Sequence, residues 1–235
     1  MQFIMDKPTI ASWPAALYLV AAAVLNADLN WVFSSNIPMN RTYGGQFQFL
    51  TILGVTVSYI TVTTGLLAHI MSSNFLLRTK NRLLMVAAPV EILISLLYGS
   101  ICLYDRSLLV PQSVTVFLPS YVDFGLHGAP SILLALDFFL FSPNWSLNPI
   151  STFILYAFIA TGYWIWIHHT YSINNFFPYP LLELLTREQR AILFLVCTVL
   201  LLGVYLVLIK LHALIVKLDV KDVKDVKEVN EKIDA

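Results

Sequence analysis

The chain has 235 residues, 58% of them hydrophobic and only 12% charged, with a mean hydropathy of +0.75. Lys plus Arg and Asp plus Glu number 14 each, so the formal net charge is zero. A soluble domain carries roughly a quarter charged residues; this composition excludes one and indicates an integral membrane protein, and the balanced charge argues against a nucleic-acid partner.

Crossing a hydrocarbon core roughly 30 Å thick takes about 20 mostly apolar residues in a helix. Six stretches qualify: about 11–32, 46–71, 82–104, 120–141, 150–169 and 189–213. Barrel strands are shorter and alternate, so these continuous runs predict helices. The expected fold is an all-α polytopic membrane helical bundle with six transmembrane helices. One membrane domain fills residues 1–217, and a charged tail follows at 218–235, read as a solvated helix. No room remains for a soluble catalytic domain, so any chemistry must be built from the helices and short loops. Cys102 and Cys197 lie in apolar spans without metal-ligand spacing and are read as inert thiols, with no disulfide assigned.

Within the first span Ala21-Ala22-Ala23 has the look of a signal-peptidase site, but the apolar run continues through Trp31 and its flank, with Asp6 and Lys7, is weakly basic. A retained span is expected. Six spans put both termini on one side, with Lys7, the loop bearing Arg78, Lys80 and Arg82, and the tail lysines Lys217, Lys221, Lys224, Lys227 and Lys232. The other side has Arg41, Arg106, Arg187 and Arg190. The positive-inside bias then places both termini in the cytosol, with the endoplasmic reticulum preferred to the plasma membrane. Of two sequons, Asn40-Arg41-Thr42 falls in a lumenal loop and Asn144-Trp145-Ser146 in a cytosolic one, so only the first is expected to be modifiable.

The second span carries a polar seam. Thr51, Ser58 and Gly65 recur at seven-residue spacing, with Gly54, Thr61 and His69 beside them, and form one small, polar stripe on a helix. The bland reading is close helix packing, or a hydroxyl bonded back to its own helix. Depth adds a second reading. Ionisable groups at membrane depth are functional candidates by default: Asp28, His69, Glu91, Asp123, His127, Asp137 and the pair His168-His169. Spans two and four both enter from the lumenal side, which puts Thr51 about five residues and His127 about seven below that surface, some 7–10 Å at 1.5 Å per residue. Spans one, three and five end there, bringing Asp28, Tyr104, Asp105, Trp164, Trp166, His168 and His169 to the same leaflet. Glu91 and Asp137 are nearer mid-bilayer, and His69 lies on the cytosolic side, where interface anchoring accounts for it. Asp123 and His127 are four apart, so one helical face can present a carboxylate to an imidazole. A histidine on an apolar helix is more often a packing residue, and adjacent histidines point about 100° apart, which does not suit zinc. No metal or cofactor is expected.

Four segments read together carry a resemblance: Thr42-Tyr43-Gly44-Gly45 with Phe49-Leu50-Thr51; Tyr104-Asp105-Arg106 followed by Pro111; Gly125-Leu126-His127 with Asp137 ten residues on; and Trp166-Ile167-His168-His169 with Tyr179-Pro180-Leu181-Leu182-Glu183. In order and spacing, from about Thr42 to Glu183, the chain resembles the androgen-induced gene 1 family of six-span membrane proteins. The resemblance implies a threonine hydrolase that cleaves fatty acid esters of hydroxy fatty acids, and its motifs fall on Thr51 as nucleophile and His127 as base. Asp123, Asp137, Tyr104, His168 and His169 are supporting candidates. Three departures stand out: Asp123-Phe124 where members often have Asn-His, Phe47-Gln48 in place of a Trp-Lys pair, and Gly128 in place of a threonine. The expected partners are a lipid ester and membrane lipids; the oligomeric state stays open. The competing reading is a lipid- or ion-handling membrane protein without covalent chemistry, favoured by the spread of Glu91, Asp137 and His69 through the bilayer. No broken-helix pair stands out in the sequence to support a transporter.

Overall fold

The structure, a computed structural model, describes residues 13–110 and 118–233, with side chains through Leu218. Asp6, Lys7 and Pro111 lie outside the described residues. Among those described, all regular structure is helical: α1 Trp13–Ser34, α2 Leu50–Ile70, α3 Asn74–Asp105, α4 Ser120–His127, α5 Ala129–Phe141, α6 Pro149–Asn174, α7 Pro180–Leu184 and α8 Arg187–Ile233, with short 3-10 turns at Pro38–Arg41, Gly45–Gln48 and Arg106–Leu108. Helices α1, α2, α3, α6 and α8 are each long and apolar enough to cross a bilayer, and α4 with α5 make a sixth span, bent by 41°. The chain is an all-α polytopic bundle.

Helix α3 is the shared wall. It packs along α2, whose other side lies on α1, and it also meets α5 and α8, while α8 lies against α6. It begins eight residues before the span expected at 82, so Arg78, Lys80 and Arg82 are helical and not in a loop. Lys80 is fully buried and its ammonium meets Asp137 of α5 at 2.8 and 3.0 Å. A neutralised lysine can extend a helix into the bundle where a lone one could not. Pro89 sits inside α3 and removes the amide that would bond the Met85 carbonyl. The buried Tyr156 hydroxyl of α6 takes that place, donating to the Met85 oxygen at 3.0 Å.

The fourth span is broken where the sequence pattern ran on unbroken. Gly128 stands between α4 and α5 with φ −126° and ψ −51°, and Pro130 follows in the first turn of α5. Proline cannot supply the amide that would bond the Leu126 carbonyl and continue α4's ladder, and at the break the Ser95 hydroxyl of α3 donates to the His127 carbonyl. The bend sits beside a tight contact: Gly125 of α4 packs directly on the Asp28 carboxylate of α1, which is buried and has one oxygen without a hydrogen-bond partner. A Cβ there would overlap that carboxylate. Gly125→Ala is therefore expected to destabilise the bundle by about 1–3 kcal/mol, the cost of overpacking a filled contact, measured as a lower thermal unfolding midpoint in detergent. An unchanged midpoint would mean that Asp28 swings away freely.

Candidate active site

Thr51 owes its position to a reversal just before α2. Gly44 and Gly45 both take left-handed backbone, with φ of +80° and +50°, and a side chain on Gly44 would press against Gln48, Trp166 and Thr170. The chain then makes the 3-10 turn Gly45–Gln48 and enters α2 one residue ahead of Thr51. This segment is pinned from α6: the Trp166 indole donates to the Phe47 carbonyl at 2.8 Å, the Tyr163 hydroxyl to the Gln48 carbonyl at 2.9 Å, and the Asn174 amide to the Tyr43 carbonyl at 2.9 Å and to the Gln48 side-chain oxygen at 3.1 Å. Gln48 in turn donates to Thr42 Oγ1 at 2.9 Å and is fully buried. A buried glutamine at the center of this web explains how the chain accommodates one departure noted above. Tyr179, just ahead of α7, accepts from the Leu50 amide at 3.0 Å, and its oxygen is surrounded by the Leu50 and Thr51 amides and the Thr51 side chain. Burial pushes its phenol above the ordinary value, so it keeps its proton at neutral pH.

His127 ends α4. Its Nδ1 stands 3.0 Å from the Asp123 carbonyl and 3.1 Å from Asp123 Oδ1, both acceptors. The proton therefore sits on Nδ1, and Nε2 is left as the basic nitrogen. The ring is stacked face to face on Tyr98 of α3, centroids 3.5 Å apart and planes 3° from parallel, while the Tyr98 hydroxyl donates to Asp123 Oδ1 at 2.6 Å. Tyr98 thus holds both the imidazole and the carboxylate that orients it.

Thr51, 8% exposed, and His127 line one cavity of about 370 Å³ bounded by α2, α3, α4, α6, α8 and the loops at that end of the bundle. Most of its wall is aliphatic or aromatic, and among the described residues no Lys, Arg, Asp or Glu lines it. No hydrogen bond joins Thr51 directly to His127; what they share is the cavity.

The other candidates fall elsewhere. Asp123 contacts His127 as described. Asp137 does not line the cavity: it pairs with Lys80 and accepts from the Tyr18 hydroxyl at 2.8 Å, while the ammonium also reaches Ser142 Oγ at 2.9 Å. Its carboxylate is neutralised at the far end of the bundle and orients nothing at His127. Tyr104 is 85% exposed on the last turn of α3 and does not line the cavity. His168 bonds the Trp164 carbonyl at 2.8 Å and packs on Phe177, and His169 meets the Tyr43 hydroxyl at 3.2 Å; both hold the α6 surface and neither lines the cavity. Asp28 packs on Gly125, Glu91 is buried against Ser58 at 2.9 Å, and His69 packs on Tyr18 at the far end. Sequence reasoning missed Tyr98, Tyr179, Ser95 and Gln46. Tyr98 lies six residues inside the end of its span and so at the depth of Thr51 and His127, and that depth is the signal in the sequence that points to it.

The FAR-17a/AIG1-like protein family description matches residues 14–213. The chain is 36% identical over 197 residues to a UPF0641 membrane protein of Schizosaccharomyces pombe, covering 83% of this chain and 88% of the relative. It is 25% identical over 190 residues to the human androgen-induced gene 1 protein, covering 72% and 77%, and 23% identical over 176 residues to the androgen-dependent TFPI-regulating protein of Mesocricetus auratus, covering 70% and 74%. No solved structure matches it significantly. With the match running from the start of the first helix to within the last, the chain belongs to the FAR-17a/AIG1-like family.

Proposed function

We propose that this chain is an integral-membrane lipid ester hydrolase that cleaves fatty acid esters of hydroxy fatty acids, with Thr51 as nucleophile and His127 as general base. The observation that carries the reading is the cavity: an aliphatic chamber whose wall includes both a threonine hydroxyl and an imidazole with its Nε2 uncommitted. In the reaction Thr51 Oγ adds to the ester carbonyl while His127 Nε2 takes its proton, directly or through one water, and then passes it to the leaving alkoxide. Asp123 and Tyr98 hold the imidazole in the tautomer that makes this work, and the carboxylate stabilises the imidazolium as it forms. Acyl chains lie against the aliphatic wall. The cytosolic placement of both termini, which rests on the distribution of Lys and Arg along the sequence, and an endoplasmic reticulum residence belong to the same proposal. Asn40 donates to the Val32 and Ser35 carbonyls at 3.1 and 2.8 Å, which works against its glycosylation in the folded chain.

The test is turnover of such an ester by the purified protein in detergent micelles. His127→Ala is expected to lower kcat by about 10²–10⁴-fold, the range of a general base. Asp123→Asn, which keeps the shape and removes the charge, is expected to lower it by about tenfold or more. Full turnover by His127→Ala removes the base assignment. One observation favours a second reading, a lipid-binding protein without chemistry: Thr51 and His127 make no hydrogen bond to one another. A fluorophosphonate probe separates the two, because a binding protein is not labelled.

A further inference from the structure

Hydrolysis at Thr51 needs donors for the oxygen that turns negative as the carbonyl carbon becomes tetrahedral. The cavity wall carries few polar side chains, and most have their hydrogens committed. The Tyr98 hydroxyl donates to Asp123, the Tyr163 hydroxyl to the Gln48 carbonyl, and the Thr198 hydroxyl to the Phe194 carbonyl at 2.8 Å. Two remain. Gln46 lines the cavity, is 6% exposed, and its Nε2 is buried without any hydrogen-bond partner. Tyr179 accepts from the Leu50 amide, and its hydroxyl lies within hydrogen-bond reach of both the Tyr163 hydroxyl and the Thr51 side chain, toward which it can turn.

A buried amide left unbonded is a cost to folding that a native chain does not carry without a reason. Gln46 sits in the 3-10 turn just ahead of α2, and the turn is held rigid by Trp166, Tyr163 and Asn174, so its amide cannot drift out to water. Its carbon neighbours are those of an aliphatic chamber, where a hydrogen bond to a developing charge counts for more than in water.

We propose that Gln46 is a catalytic residue whose amide N–H holds the ester carbonyl oxygen during attack, with the Tyr179 hydroxyl as second donor; this rests on the hydrolase reading. As the Thr51 Oγ–carbon bond forms, the carbonyl π pair moves onto oxygen and is held there by the two donors, while the Thr51 proton goes to His127. The pair then returns, the carbon–alkoxy bond breaks, and the alkoxide leaves with the proton from His127. Water repeats the cycle, its oxygen bonding to the acyl carbon as the Thr51–acyl bond breaks.

Gln46→Met keeps length and volume and removes the donor. In purified full-length protein, turnover of a fatty acid ester of a hydroxy fatty acid is expected to fall about 10²–10³-fold in kcat, with KM moving less than about threefold. The thermal midpoint is expected to equal or exceed that of the parent, since an unbonded amide has been removed. Tyr179→Phe is expected to lose about tenfold or more in kcat, whereas Tyr104→Phe, outside the cavity, keeps full activity. Turnover by Gln46→Met within about threefold of the parent overturns the assignment, and so does a lowered midpoint or failure to fold, which would make the amide structural. Either result leaves the hydrolase reading standing if the parent turns over and Thr51→Ala does not. A parent without turnover overturns both.

Discussion

Thr51→Ala is expected to stop ester hydrolysis, lowering kcat by about 10³-fold or more, the cost of losing the group that carries the acyl intermediate. The variant should fold. The Thr51 side chain meets the Tyr179 hydroxyl and no carbonyl of its own helix, Tyr179 keeps its bonds to the Leu50 amide and Tyr163, and trading one small side chain for another at an 8% exposed position keeps the α2 packing. Labelling by a fluorophosphonate should vanish with turnover, and Thr51→Ser, which retains a hydroxyl in the first turn of α2, should restore both to within about tenfold. Mass spectrometry of the labelled parent places the adduct on the peptide bearing Thr51. Labelling that persists in Thr51→Ala, or an adduct elsewhere, removes the nucleophile assignment even if the chain hydrolyses lipid.

The largest loss of stability is expected from Lys80→Met. Lys80 and Asp137 are 0% and 1% exposed, and the ammonium's three hydrogens are matched by the two carboxylate oxygens and Ser142 Oγ, with the Tyr18 ring 5.3 Å away. Removing the cation leaves a carboxylate enclosed in the bundle with only Tyr18 and Ser142 to answer it, at a cost of about 3–5 kcal/mol. Asp137→Leu alone strands the ammonium and should cost a similar amount. The pair Lys80→Met with Asp137→Leu should recover most of the loss, since an apolar pair of similar volume packs without the desolvation cost. Thermal unfolding in detergent reads all three. If the double variant is no better than the singles, the pair is fixing helix positions that packing alone does not. The surviving folded fraction of the double variant should hydrolyse ester normally, because the ion pair is at the far end of the bundle from Thr51.

The helices were legible because lipid imposes one demand on every span: about 20 apolar residues with backbone groups satisfied internally. The convergence of Thr51 and His127 on one cavity was legible for a related reason, since rise per residue converts position into depth. What could not be read was which way each charge turns. Asp123 and Asp137 are both carboxylates on the same span, yet one meets His127 and Tyr98 and the other Lys80 and Tyr18, because the partners at each depth come from neighbouring helices that the span's own sequence does not name. Lys80 has the sequence context of a loop charge, and nothing local announces a partner 57 residues away. Gln46 and Tyr179 escaped for a different reason. They act, on this reading, through hydrogens offered to a substrate, and a sequence reports neighbours.

The wall of the chamber also bears on what happens after the bond is cut. A fatty acid released there finds no cation to pair with, since no Lys or Arg lines the space among the described residues. The aliphatic wall favours its uncharged form, with His127 the base to which it can yield a proton there, and it ionises fully on reaching the headgroup region, where water stabilises the carboxylate. Ionisation at the interface makes re-entry unfavourable. The exit of product is then driven by the pH of the adjoining water and needs no moving gate, and added free fatty acid should inhibit less at alkaline pH than at acid pH.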